Sequence, residues 1–144
     1  MKTISIGKII ITLVCLMTAF GSYAFDWNHT HIFNDKWPPH AKFHNAQTMV
    51  LGTLLGLFAI WVVWFRKGDP LANLKLAVTI ALFYWIGQIG ASLFPGTALL
   101  DREFAHPGQL PAQLIVCVVV FVLLGIAFFL EAKKLNSNKA HENR

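Results

Sequence analysis

The sequence predicts an all-α integral membrane bundle, a four-helix transmembrane domain with both termini cytoplasmic, and three observations carry that prediction. Hydrophobic side chains make up 56% of the 144 residues and charged ones only 13%, outside the usual range of soluble domains. The apolar residues fall into four runs of spanning length, and the lysines and arginines gather at one set of run ends. A single transmembrane domain over residues 1–130 and a polar cytoplasmic tail over 131–144 follow from that distribution.

Spans are expected at about 5–25, 46–65, 71–94 and 111–130. Each reads as helix, because a lone strand or loop facing lipid leaves its backbone groups unpaired. About 20 residues at about 1.5 Å each cover a hydrocarbon core of about 30 Å. The first run, with Lys2 and Lys8 before it and Ser22 and Ala24 near its end, also fits a cleavable signal peptide. The retained helix is preferred, because apolar character continues through Phe25. In the second run, Pro38 and Pro39 stop any upstream helix and suit the first turn of a new one. That helix is therefore expected to start near Pro39 and to stand above the outer interface for two turns. The tail from Glu131 to Arg144 is expected to fray and then lose order.

Orientation follows from the positive-inside rule. Lys2, Lys8, Arg66, Lys67, Lys75, Lys133, Lys134, Lys139 and Arg144 belong to one side; Lys36, Lys42 and Arg102, balanced by Asp26, Asp35, Asp101 and Glu103, belong to the other. The formal charge of +5 is thus a topology signal, and with no basic groove or aromatic-basic motif no nucleic-acid partner is expected. The expected location is the cell (inner) membrane, with membrane lipids as neighbours and the loops rich in histidine extracytoplasmic.

Those loops hold the chemistry. His40 and His44 lie on the first turns of the second helix, and a spacing of four stacks them on one face, as two imidazoles need to grip one metal ion. Steps of four lead on to Thr48, Gly52 and Gly56, and the small-xxx-small pair Gly52 and Gly56 marks close approach of another helix. It is a candidate contact for a helix partner or homo-oligomer, and on this reading the histidine face looks into the bundle. His29 and His31 add two imidazoles after the first helix. Asp26, Asn34, Trp37, Asp101, Glu103 and His106 are candidate ligand or supporting groups, and a transition metal or haem is the cofactor class such donors suit. Against this stand the interfacial roles of histidine and of an aromatic belt formed by Trp27, Phe33, Trp37 and Phe43, and for the loop at Asp101, Glu103 and His106 a solvated role is preferred.

Deep in the third span, Gln88 offers an amide to a ligand carbonyl or to a neighbouring helix, the second being the commoner use. No Asp, Glu, Lys, Arg or His stands at mid-depth in any span, which disfavours a proton pump or ion-coupled transporter. Cys15 and Cys117 fall inside the first and fourth spans and read as packed thiols.

The stretch Phe33-Asn34-Asp35-Lys36-Trp37-Pro38-Pro39-His40-Ala41-Lys42-Phe43-His44 resembles a family of small, uncharacterised multi-pass membrane proteins with a signature similar to Asn-Pro-x-Trp-Pro-Pro-His-Ala-Arg-Phe-His. The likeness is dense over residues 21–56. Asp35 stands where that pattern has proline, and Lys42 replaces an arginine and with it any bidentate grip. The resemblance implies about four helices with the motif between the first two, points to His40 and His44, and implies no reaction. Three readings remain: a metal or haem protein, an enzyme using a histidine as acid or base on a lipid or other hydrophobic substrate, and a structural or assembly subunit of a membrane complex.

Overall fold

The computed structural model describes residues 5–100, 103 and 105–142. Four helices follow in order, α1 (Ile6–Asp26), α2 (Pro39–Trp64), α3 (Pro70–Ala91) and α4 (Ala112–Glu142), and there is no strand among the described residues. All four are long and apolar enough to cross a membrane. At 21 and 22 residues, α1 and α3 are about as long as the hydrocarbon core is thick. The 26 residues of α2 and 31 of α4 exceed it.

Local chemistry sets the helix ends. Ser5 caps α1 by accepting from the Lys8 backbone N–H, and Asp69 caps α3 by accepting from that of Ala72. Proline occupies the first turn of α2 and of α3, where its missing N–H costs nothing. Between α2 and α3 the chain reverses within a few residues through Gly68, whose φ of 112° a side chain would oppose.

The chain runs up and down, and each helix packs on its sequence neighbours while α4 closes the ring against α1. Two ends result. At one, Lys8 Nζ donates to the Val63 carbonyl (3.3 Å), Trp64 Nε1 donates to Thr12 Oγ1 (2.9 Å), and Ser5 donates to the Glu131 carboxylate. We call this the charged end. At the other, the loop end, Asn45 Nδ2 donates to Asp26 Oδ2 (3.1 Å), and Lys36 ties the α1–α2 loop to Glu103 of the α3–α4 loop at 2.7 Å. Among the described residues Lys8 thus stands at one end and Lys36 and Glu103 at the other, in line with the sequence reading.

Small and β-branched residues fill the core, among them Ile11, Cys15, Ala59, Ala77, Val120 and Ala127. Leu54, Phe58, Phe83, Val118, Val122 and Phe129 point outward, a surface that lipid accommodates and water does not. The glycine stripe works inside the chain: an added Cβ on Gly52 would stand 2.7 Å from the Thr18 carbonyl oxygen, and one on Gly56 would fall on that of Cys15. Gly52 and Gly56 therefore let α1 approach, and the stripe packs against another helix of the same chain. Cys15 and Cys117 are buried free thiols. Trp85 links α3 to α1 through Thr18 Oγ1 at 2.9 Å.

Two boundaries differ from expectation. Helix α3 ends at Ala91, where Ser92, Leu93 and Phe94 turn back onto it, rather than at residue 94. The polar residues after Leu130 continue as helix to Glu142, because Glu131, Leu135 and Lys139 prolong by fours the inward face of Ala127. Glu131 meets Ser5, Leu135 packs on the core and Lys139 Nζ reaches Asp69 Oδ1 at 2.9 Å.

The hydrogen bond from Lys139, with that from the Ala72 N–H, holds the Asp69 carboxyl below its ordinary value. A depressed native pKa stabilises above the unfolded value, and the effect is lost as pH falls through the native one. The protection factors of amides in residues 131–142, which are corrected for the intrinsic pH dependence of exchange, should therefore fall as Asp69 becomes protonated. Lys139→Ala should show the lower protection already at neutral pH; equal and pH-independent protection factors in both proteins would refute the tether.

Candidate functional site at the loop end

Two proline-started turns lift His40 and His44 above the packed part of α2. Both are exposed, contrary to the inward face expected from Gly52 and Gly56. The reason is geometric: each step of four residues advances about 40° around a helix, so three steps from Gly52 to His40 turn the face by about 120°. The pair itself is close. His40 Nε2 and His44 Nε2 lie 3.1 Å apart, with ring centroids at 4.5 Å.

The rings are held from behind. His44 Nδ1 lies 3.2 Å from Gln47 Oε1, an acceptor only, so the proton of that contact belongs to Nδ1 and a neutral His44 keeps its Nε2 lone pair towards His40. His40 stacks on Phe43, with centroids 6.1 Å apart and planes within 6°.

A second cluster sits beside the end of α1. His31 Nε2 is 3.8 Å from Asp26 Oδ1, and His31 Nδ1 is 2.7 Å from Thr30 Oγ1. Asp26 is shared with Asn45 of α2, and the His31 ring meets Trp37 edge to face at 5.4 Å. His29 packs on Phe33 at 6.0 Å. Asn28 and Asn34 organise the turns: Asn28 Oδ1 accepts from the Thr30 N–H (2.8 Å) and Asn34 Oδ1 from the Lys36 N–H (2.9 Å). Asn34, a candidate ligand by sequence, thus spends its oxygen on the backbone.

The histidines do not converge. Among the described residues no three His, Cys, Asp or Glu side chains stand close enough to hold one ion, so His29 and His31 do not complete the His40–His44 pair. Glu103 is committed to Lys36, and the exposed His106 offers its backbone N–H to Gln109 Oε1 at 3.1 Å. Asp101 lies outside the described residues. Gln88 is half-buried in α3 and its side chain makes no hydrogen bond among the described residues, while Trp85 makes a cross-helix bond to Thr18.

One group at the other end escaped the sequence reading. Lys8, Arg66, Asn73 and Glu131 line a cavity of about 150 Å³ at the charged end. Read singly, the cations are topology signals and Glu131 is the start of a solvated tail.

A family model described as "Family of unknown function (DUF6640)" matches residues 10–142. No curated protein and no solved structure matches the chain.

Proposed function

The chain belongs to this family of unknown function, and we propose that it is a multi-pass protein of the cell (inner) membrane that binds a transition-metal ion through His40 and His44 on its extracytoplasmic face. The orientation rests on the positive-inside rule, which places the charged end with Lys8, Arg66, Lys67 and Lys75 in the cytoplasm.

The observation that carries the metal reading is the 3.1 Å between the two Nε2 atoms. Two nitrogens about 2.0–2.1 Å from a tetrahedral ion stand about 3.4 Å apart, and at a right angle in a tetragonal site about 2.8 Å. The pair, at 3.1 Å, lies within about 0.3 Å of either spacing, so a small shift of the rings brings both nitrogens onto zinc or copper. A haem held by both rings is disfavoured, because the ligands would have to lie on opposite faces of the macrocycle. Two protein ligands leave coordination positions open for water or substrate, the arrangement of a reactive or transferring site rather than a closed structural one.

Titration of the detergent-purified protein with cobalt, followed by its visible band, tests the proposal. One equivalent bound by the wild type and lost in His44→Ala is the expected result; no band at any cobalt concentration overturns it. Gln47→Leu should weaken binding about tenfold by freeing the ring it orients.

A second reading has one observation in its favour. Asp26 beside His31 resembles the orienting pair of a general base, as an enzyme acting on a lipid would need. The Thr30 hydroxyl, however, donates to Asn28 Oδ1 at 2.7 Å and so accepts from His31, which leaves no activated nucleophile in the cluster.

A further inference from the structure

We infer that the cavity at the charged end binds a zwitterionic ammonium–phosphate headgroup, that of a phosphatidylethanolamine-type lipid. The inference rests on the four helices lying in a bilayer and is independent of the histidine pair.

All four helices and the α2–α3 turn build the cavity: Lys8 from α1, Val63 and Trp64 from α2, Arg66 from the turn, Asn73 from α3 and Glu131 from α4. Its volume of about 150 Å³ exceeds a water site and admits several polar groups. Asn73 and Glu131 are buried, at 7% and 3% exposure.

Charges of both signs line this space with no direct ion pair between them among the described residues. Lys8 Nζ goes to the Val63 carbonyl, Arg66 bonds the Asn73 side chain, and Asn73 Nδ2 returns a bond to the Arg66 carbonyl at 2.8 Å. Glu131 accepts from the Ser5 hydroxyl and has no ion-pair partner among the described residues. A buried carboxylate with no cation in direct contact is costly, so an occupant that brings an ammonium against Glu131 relieves it. A bare cation would meet Lys8 and Arg66, and a bare anion would meet Glu131. A ligand with an ammonium and a phosphate on a short spacer satisfies both sets: the ammonium on Glu131, the phosphate on Lys8 and Arg66.

Location names the source. The cavity lies where α1 and α3 begin and α2 ends, beside Trp64, whose ring also carries the Lys8 ammonium at 5.2 Å. Indole and lysine at helix ends mark the headgroup level of a bilayer, and exposed Arg66 stands at its polar side. Lipid headgroups fill that layer, whereas a soluble compound would have to enter from the aqueous phase.

Native mass spectrometry of the detergent-purified full chain tests this, with phosphatidylethanolamine, phosphatidylglycerol and phosphatidylcholine added at equal concentration. Phosphatidylethanolamine should be retained about tenfold better than the other two, because phosphatidylglycerol lacks the ammonium and the choline group has no N–H to donate. Glu131→Gln, which keeps the shape and an acceptor for Ser5, should erase that preference, and Lys8→Gln should weaken retention of all three. Equal retention of the three lipids by the wild type overturns the inference without recourse to any variant, as does a preference unchanged in both variants. Displacement of the lipid by an equal concentration of free O-phosphoethanolamine overturns the lipid assignment in favour of the soluble compound.

Discussion

Gly56→Ala is expected to loosen the contact between α1 and α2 and to destabilise the bundle more than any other single added methyl group. In an exposed helix the same change stabilises by up to about 1 kcal/mol through helix propensity. Here the added carbon would fall on the Cys15 carbonyl oxygen and stand 2.9 Å from the Ala19 Cβ. Backbone cannot rotate away as a side chain can, so the helices must separate, and overpacking of this kind costs about 1–3 kcal/mol. Separation also stretches the bond from Thr53 Oγ1 to the Ala19 carbonyl, 2.9 Å in the native packing. Gly87→Ala and Gly125→Ala are the matched controls, since an added Cβ there meets nothing within 4 Å. Thermal unfolding in detergent should place Gly56→Ala several degrees below the wild type and both controls at or above it. Equal melting of all four proteins would show that the α1–α2 approach is not limiting.

How much of this was legible in the sequence depends on whether the signal is local. Helix positions were, because an apolar run of spanning length has few other structures open to it. So was the start of α2 at Pro39, since the proline ring acts on its own turn. The stripe of Gly52 and Gly56 announced a close helix contact, yet which helix used it is a tertiary fact that only the packing of α1 settles. The inward histidine face failed for a calculable reason, the rotation accumulated between Gly52 and His40. The fraying expected from Glu131 onward is not seen up to Glu142, because polarity was read as departure from the bundle, whereas Glu131, Leu135 and Lys139 keep the helical period and find Ser5, the core and Asp69.

The charged-end cavity was the least legible part. Lys8, Arg66, Asn73 and Glu131 come from separate elements, and no spacing in the chain relates them. Each also has an ordinary explanation at its own position, topology for the cations and turn or cap chemistry for Asn73. Only the continued inward period through Glu131 pointed to a buried acid. The histidine pair was legible because both rings lie on one helix, where sequence distance is spatial distance.

That same property supplies the sharpest test of the metal site. Combining His44→Ala with Lys42→His keeps the number of imidazoles on α2 but moves the second ring from four residues after His40 to two, about 200° around the helix. One ring can then still bind an ion, and the other cannot reach it. Chelation makes the second contact intramolecular, so its loss should weaken cobalt or zinc affinity by about 10²–10⁴-fold. Combining His44→Ala with Phe43→His places the second ring three residues away, on the neighbouring face, and should keep part of the affinity. Isothermal titration of the three proteins separates a geometric site from a stretch that merely contains histidine. If the spacing of two binds as tightly as the native four, affinity follows composition, and the 3.1 Å approach of His40 and His44 is then a hydrogen bond at the membrane surface.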